Sequence, residues 1–207
     1  MSIQAAHFIL GQASAASGDA PIDEAVYTFT GALNGAGREF SFGLFGVAQG
    51  SEDAGPVMRA TARHLLREIY LPLLPWDATD RPNTLDTLAT LMPTRQATLT
   101  GMAMAVVLDN RVYMGWQGDG RAYLLTEDDA RHFADADAEP VASQVLSPGT
   151  SLLLCTGGLW QNVADDQILH TVQQASSIQE ACDRLVDQAT SRNGASRPLV
   201  LMIHHLA

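Results

Sequence analysis

Apolar residues follow two different spacings along this chain, and each spacing predicts a different element. Seven segments rich in β-branched, aromatic and other apolar residues predict strands, at residues 24–30, 39–48, 102–108, 111–118, 121–126, 151–155 and 199–206. Several are apolar at nearly every position, which is typical of strands buried on both faces. Glycine, asparagine and aspartate mark turns at 32–37, 109–110 and 119–120. We therefore expect antiparallel hairpins.

The remaining apolar stripes have helical spacing. One stripe runs from Met58 to Ile69, with Arg59, Arg63 and Arg67 on another face, and the PLLP sequence at 72–75 ends this helix. A short helix is expected over 83–92. Two more are expected, one from 165 or 166 to about 174 and one that begins after a cap at 176 or 177. The stripe of the last helix consists of Ile178, Ala181, Cys182, Leu185, Val186 and Ala189.

Two segments lack either spacing. Residues 127–139 are acidic and poorly patterned, which predicts a solvated loop, and Gly157-Gly158 is expected to break the strand before it. The resulting order is strands, helices, a three-stranded meander, helices and a final strand. This order favours an α+β layered domain, and we expect one domain over residues 1–207.

Composition removes several classes of function. The chain has 207 residues and a net charge of −11, and all twelve of its basic residues are arginine. Without lysine, a P-loop, a Schiff-base enzyme and a Ser-x-x-Lys acyl enzyme are excluded. The acidic balance predicts no nucleic-acid partner, because a phosphate backbone requires a basic face.

Hydropathy and the cysteines bear on localisation. The chain has no apolar run long enough for a membrane span and no signal-peptide pattern at its start, so we expect no membrane partner. Cys155 and Cys182 follow no CxxC spacing and are read as small apolar residues. The prediction is a cytoplasmic protein with reduced thiols.

Five segments then carry a family resemblance, in order along the chain. They are IDEAVYTF (22–29), FGLFGVAQG (42–50), GMAMAVVLDNRVYMGWQGDGRAYLL (101–125), LSPGTSLLLCTGGLWQNVADDQI (146–168) and IQEACDRLVDQATSRNGASRPLVLMIHHL (178–206). Together they resemble the metal-dependent serine/threonine protein phosphatases of the PPM, or type 2C, family. The resemblance implies a four-layer α-β-β-α sandwich, in which two mainly antiparallel sheets are flanked by helix pairs. It also implies a shortened flap region, at 127–145.

The same resemblance implies a binuclear metal site. In that family, carboxylates hold two Mg²⁺ or Mn²⁺ ions, which activate a water for attack on a phosphoryl group. The residual family positions here are Glu24 (with Asp23 beside it), the backbone carbonyl of Gly50, and Asp119, whose counterpart serves a peripheral metal.

The other family ligands are replaced. Gln49 stands where the family has its bridging aspartate, and Gly157 stands where it has the aspartate of Ser-Asp-Gly. The late aspartate is missing, because the chain passes directly from Arg197 to Pro198. The arginine that binds phosphate in the family precedes the first acid, but the first arginine here is Arg38.

The replaced positions are those that bind metal or phosphate in the family, whereas the positions that maintain the family's scaffold are kept. The matching scaffold positions are Gly46, Gly50, Gly118, Arg121, Tyr123, Leu159 and Trp160. The leading hypothesis is a pseudophosphatase with no catalytic residue and no cofactor. It would act as a regulatory or protein-binding module in phosphorylation signalling, with a serine/threonine kinase or a phosphoprotein as partner.

Two alternatives stay open. The chain could be a divergent active phosphatase that holds Mg²⁺ or Mn²⁺ with Glu52, Asp53 or Asp119, although acids at 52 and 53 also suit the start of a helix. It could also have a purely structural role, with Asp119 stabilising a turn beside Arg121. Adjacent His204 and His205 should point to opposite faces of a strand, which disfavours a shared metal. Trp116 and Trp160 are expected in the core.

Overall fold

The computed structural model describes residues 8–15, 23–35, 38–73, 83–91, 98–133, 141–193 and 197–206. Within these ranges, ten strands form two five-stranded sheets. They are β1 (Phe8–Ser14), β2 (Asp23–Gly35), β3 (Arg38–Gly50), β4 (Leu99–Leu108), β5 (Arg111–Gly118), β6 (Arg121–Leu125), β7 (Ala130–His132), β8 (Val141–Val145), β9 (Ser151–Cys155) and β10 (Leu199–His205).

The first sheet has the strand order β1-β10-β9-β6-β7, and the second has the order β2-β3-β4-β5-β8. The pairings between these described strands are antiparallel. The inner faces of the two sheets pack on each other around residues such as Phe45, Trp116 and Leu154. Successive side chains of a strand alternate between faces, so each buried strand serves this inner core and a second, outer one.

The outer cores are covered by helices. α1 (Ala54–Leu65) continues through a π-helical turn (Leu66–Tyr70) and a 3₁₀ turn (Leu71–Leu73), and with α2 (Thr84–Leu91) it packs on the second sheet. α3 (Gly157–Trp160), α4 (Asp165–Gln174) and α5 (Ile178–Arg192) pack on the first sheet. The predicted four-layer α-β-β-α sandwich is therefore confirmed.

Helix ends follow the expected cap chemistry in two cases. Ser177 caps α5, where its hydroxyl accepts the backbone N–H of Glu180 at 3.1 Å. At α2, the Asn83 side-chain oxygen accepts the backbone N–H of Asp86 at 3.4 Å. Across the described ranges, no helix combines the length and apolar character that a membrane crossing requires.

Four local predictions need correction. The predicted three-stranded meander is wrong, because β6 pairs with β7 and β9 of the first sheet rather than with β5, and the turn at 119–120 carries the chain from one sheet to the other. The segment 127–139 is not wholly a loop, because β7 pairs with β6 and His132 lies opposite Tyr123; residues 134–139 lie outside the described residues. Gly157-Gly158 ends β9 but also begins α3. β1 and β8 were not predicted. Both are edge strands with mixed polarity, and pairing with β10 and β5 rather than local sequence makes them strands.

Candidate functional site

The ends of β2 and β3 bring an acid and an amide together in the second sheet. Glu24 lies directly opposite Gln49 in the antiparallel register, and both side chains point between the sheets. Gln49 Nε2 donates to Glu24 Oε1 at 3.2 Å and to the backbone carbonyl of Arg197 at 2.9 Å. Because Arg197 leads into β10 of the first sheet, one amide group links the two sheets. We call this arrangement of Glu24, Gln49 and the Arg197 carbonyl the amide bridge.

Burial and hydrogen bonds shift the pKa of the Glu24 carboxyl in opposite directions. Desolvation raises the pKa of its carboxyl above the ordinary value of 4.5. Hydrogen bonds from Gln49 and Ser14 and the positive charge of Arg197 lower the pKa, but less than burial raises it. Gln49 itself is only 8% exposed. The bridge is thus a desolvated polar network in which the carboxylate faces N–H and O–H donors.

Asp23, beside Glu24, has a different role. Its carboxylate Oδ2 accepts the backbone N–H of Gly55 at 3.2 Å, so a strand residue caps the start of α1. Asp53 is the residue at the helix boundary, but it has a left-handed backbone (φ 61°) and makes no side-chain cap bond. Glu52 and Asp53 are both exposed and precede the first turn of α1 rather than lying within it.

Gly50 is required by close backbone packing. The β3–β4 register shifts between Gln49 and Gly50, and a Cβ added to Gly50 would lie 2.2 Å from the carbonyl oxygen of Thr98. The carbonyl of Gln49 accepts the Thr100 hydroxyl at 3.0 Å. The glycine at this position therefore has a steric explanation that does not depend on a ligand.

Asp119 and Gly157 meet at the edge of the same region. A Cβ added to Gly157 would lie 2.9 Å from Asp119 Cβ and 2.9 Å from Gln161 Nε2. The space that an aspartate at position 157 would need is therefore partly filled. Asp119 is exposed, and its backbone carbonyl accepts Trp160 Nε1 at 2.9 Å. We refer to Glu24, Gln49, Asp119, Gly157 and Arg197 together as the cleft.

Trp160 joins α3 to the turn between β5 and β6, which belong to different sheets. The Arg121 guanidinium stacks over the Trp160 ring, 3.6 Å from the ring centroid. Trp116 lies in the inner core as predicted, at 6% exposure, but Trp160 is only partly buried. The indole and the arginine thus stabilise one wall of the cleft.

The residues present do not fit a pair of divalent cations. Hard cations require several oxygen ligands, mostly anionic. The centre of the cleft holds one carboxylate, and the amide nitrogen of Gln49 rather than a second carboxylate faces it. In the part of the chain that the structure describes, no three His, Cys, Asp or Glu side chains lie close enough together to hold a metal.

Comparison with known proteins gives a likeness in structure only. No family model matches the sequence, and no curated protein matches it. The phosphatase domain of the cell fate determinant SpoIIE from Bacillus subtilis superposes with a TM-score of 0.62 at 13% identity, covering 97% of this chain and 93% of that one. The catalytic domain of serine threonine protein phosphatase PstP, in complex with two manganese ions, gives 0.58 at 18% identity, covering 97% and 100%.

A third solved structure extends the same likeness. PppA, described as a key regulatory component of T6SS in Pseudomonas aeruginosa, gives a TM-score of 0.55 at 16% identity, covering 93% of this chain and 99% of that one. The chain therefore has the fold of the PPM serine/threonine phosphatases, as the sequence resemblance implied.

Other predicted residues are placed as follows. His204 and His205 do point to opposite faces: His204 Nδ1 shares a 2.9 Å hydrogen bond with Ser151 Oγ, while His205 packs near the ring of Phe8. His204 lines a pocket of about 310 Å³ under α4, at the end of the sheet opposite the cleft. Cys155 and Cys182 are buried and unbridged, and burial raises the pKa of both thiols, which disfavours nucleophilic roles.

Sequence reasoning missed three contacts in or beside the cleft. The Arg197 carbonyl is a backbone group, so no residue type could reveal it. Ser14 lies on the unpredicted strand β1, and its hydrogen bond to Glu24 depends on the pairing of β1 with β10. The capping role of Asp23 depends on the position of α1 over β2. In each case, a contact between distant segments creates the role.

The raised pKa of Glu24 predicts a specific pH dependence. Because the folded chain binds a proton at Glu24 more readily than the unfolded chain does, this group lowers stability as the pH rises from about 4.5 through the folded-state pKa. The Glu24→Gln variant should lose this component and be at least as stable as the parent chain when the carboxyl is ionised. Urea unfolding between pH 4 and pH 8 measures the difference.

Glu180 provides a matched control, because its pKa is shifted in the opposite direction from that of Glu24. Hydrogen bonds from Ser176 and the nearby Arg184 lower the pKa of the exposed Glu180 carboxyl. Its contribution to stability is therefore present above about pH 4.5 and is lost as the pH falls. The Glu180→Gln variant should accordingly lose stability at neutral pH. A Glu24→Gln variant that behaved like Glu180→Gln would show that the Glu24 charge is stabilising.

Proposed function

We propose that this chain is a single phosphatase-like domain that has exchanged metal chemistry for protein binding, a pseudophosphatase in phosphorylation signalling. The observation that carries the proposal is the amide bridge. Gln49 donates to Glu24 and to the Arg197 carbonyl, so the oxygen atoms at the centre of the cleft are already satisfied by N–H groups. A cation would have to displace these donors and would find too few anionic ligands.

The scaffold around the cleft supports the same proposal. The Trp160–Arg121 stack, the Asp23 cap on α1 and the close packing at Gly50 maintain the fold where catalytic ligands have been replaced. A buried polar network in which every member is paired is stable without an ion. The domain can therefore fold and present a surface to a partner without Mg²⁺ or Mn²⁺.

The partner class follows from analogy with the fold. Among proteins of similar structure, PppA is described as a regulatory component and SpoIIE as a cell fate determinant. By this analogy, the partner proposed here is a protein of a phosphorylation pathway, such as a serine/threonine kinase or a phosphoprotein. The two unbridged cysteines support a reducing compartment, and we propose the cytoplasm.

Calorimetric titration with Mn²⁺ and an assay on a phosphoserine peptide test the proposal. We expect no two-site Mn²⁺ binding and no hydrolysis, whereas the catalytic domain of PstP, measured in parallel, should give both. Two bound Mn²⁺ ions together with hydrolysis would overturn the proposal.

The second candidate, a divergent active phosphatase, rests on the residual carboxylates Glu24 and Asp119. It predicts metal-dependent hydrolysis that is lost in both Glu24→Gln and Asp119→Asn, two variants that change each carboxylate into an amide of the same shape. The two changes serve as matched probes because Glu24 is part of the amide bridge, while Asp119 is exposed at the rim of the cleft. Activity that survived both changes would come from a contaminating phosphatase.

A further inference from the structure

Three exposed arginines lie along the outer side of α1 and the turn that follows it. Arg59, Arg63 and Arg67 are four residues apart, which places them about 6 Å from one another along the helix axis. The opposite side of the helix is buried against the second sheet through Met58, Ala62 and Leu65. We call the three arginines the arginine ridge.

The ridge is unfavourable for the isolated domain. Like charges four residues apart on a helix cost about 0.2–0.5 kcal/mol per pair, and the ridge contains two such pairs. No acidic residue occupies a position three or four residues from any ridge arginine. Arg59 and Arg63 form no ion pair with any described residue, and Arg67 contacts only its exposed neighbour Glu68, at 3.4 Å.

The rest of the chain uses arginine differently. Arg184 pairs with Glu180 across one turn of α5, and Arg121 stacks on Trp160. The chain has 23 acidic residues and only twelve arginines, so partners are plentiful. Among the described residues, the ridge has only the exposed Arg67–Glu68 pair, so grouping three of twelve cations there lowers stability. Arrangements of this kind are expected where a surface has a function.

An exposed apolar residue continues the same spacing. Leu71 follows Arg67 by four residues and is 55% exposed. The surface therefore presents three guanidinium groups and then an apolar side chain, over a total of about 18 Å. Guanidinium groups recognise carboxylates through paired hydrogen bonds, and a leucine at the end can bury an apolar anchor of a partner.

We propose that the arginine ridge is a docking surface for an acidic segment of a partner protein. The segment carries carboxylates that recur about every 6 Å, as alternate residues of an extended chain do, with an apolar residue at one end. This proposal rests on the proposed role of the domain as a protein-binding module, and it names the surface and the chemistry of the partner. Arginine is the suitable cation because its planar fork is less strongly hydrated than an ammonium group.

Fluorescence anisotropy on the full chain tests the docking surface. The probe is a labelled synthetic peptide with three glutamates at alternate positions and a terminal leucine, compared with the same peptide carrying glutamines. We expect the glutamate peptide alone to bind, and its affinity to fall roughly tenfold or more between 50 and 500 mM NaCl, because salt screens such contacts. The triple variant Arg59→Gln, Arg63→Gln, Arg67→Gln should weaken binding roughly tenfold as well.

The control is a second triple variant that has the same net charge as the ridge variant. Arg111→Gln, Arg131→Gln, Arg192→Gln removes three exposed arginines from elsewhere and should leave the affinity within about twofold. The melting temperature of the ridge variant should not fall, since the change relieves repulsion. Equal weakening by both triple variants, equal binding of both peptides, or binding of a phosphoserine version alone would overturn the proposal. The Glu24→Gln variant should bind the peptide normally, so this result is independent of the metal and hydrolysis assays.

Discussion

Replacing Gln49 with glutamate should lower the free energy of unfolding by about 3 kcal/mol at pH 7. The two side chains have nearly the same shape, so the change removes N–H donors without creating a cavity. The new carboxylate would face Glu24 Oε1 and the Arg197 carbonyl, the two acceptors that Gln49 Nε2 now satisfies at 3.2 and 2.9 Å. Urea unfolding monitored by tryptophan fluorescence measures the loss.

The pH dependence of the same variant identifies its cause. Two facing carboxylates cannot both remain charged at low cost, so one of them should bind a proton more readily than usual. The stability difference from the parent chain should then shrink as the pH falls below about 5. A Gln49→Met variant, which is also similar in length but carries no charge, should show a smaller loss that changes little with pH. A Gln49→Glu variant as stable as the parent at pH 7 would contradict the amide bridge.

Replacing Gly158 with alanine is expected to lower the free energy of unfolding by about 3 kcal/mol. A Cβ at this position would lie 2.4 Å from the carbonyl carbon and oxygen of Arg197 and 2.6 Å from the nitrogen of Pro198. All three are backbone atoms, so no side-chain rotation can relieve the contact. The segment that enters β10 would have to move, and with it the carbonyl to which Gln49 donates.

The same replacement of glycine by alanine at Gly55 is expected to raise the free energy of unfolding rather than lower it. This residue lies in α1, and an added Cβ would meet only the mobile end of Arg59, at 3.3 Å. Alanine loses less backbone entropy than glycine in a helix, so Gly55→Ala should raise stability by about 0.5 kcal/mol. Thermal unfolding of both variants makes the comparison. Equal effects at the two positions would show that backbone packing at Gly158 is not tight.

Elements with a strong local pattern were predictable. The stripe from Ile178 to Ala189 identified α5, and the turn residues at 109–110 placed the β4–β5 hairpin. In these segments, local propensity and burial favour the same conformation, so the sequence pattern is sufficient. β7 was missed because its three residues are too few to show an alternating pattern. His132 lies opposite Tyr123 on the preceding strand β6 and contacts Asp165 of α4 at 3.6 Å.

In the cleft, residue identities could also be read from the sequence, but the contacts between these residues could not. The sequence resemblance predicts carboxylates at the positions of Gln49 and Gly157, and that these two residues are not carboxylates is visible from residue identity alone. What Gln49 does there is not visible, since its two acceptors lie 25 and 148 residues away along the chain. The same holds for the crowding of Gly157 by Asp119, which lies in the turn between β5 and β6.

By itself, the sequence determined the fold class, the main strands and helices and the absence of lysine chemistry. These depend on composition, periodicity and motifs, all of which are local. Only the tertiary structure decided that an amide joins the two sheets, that Asp23 caps α1, and that Arg59 and Arg63 face solvent with no ion pair to a described residue. Each of these depends on which distant groups meet and which side of an element is buried, and packing of the whole chain sets both.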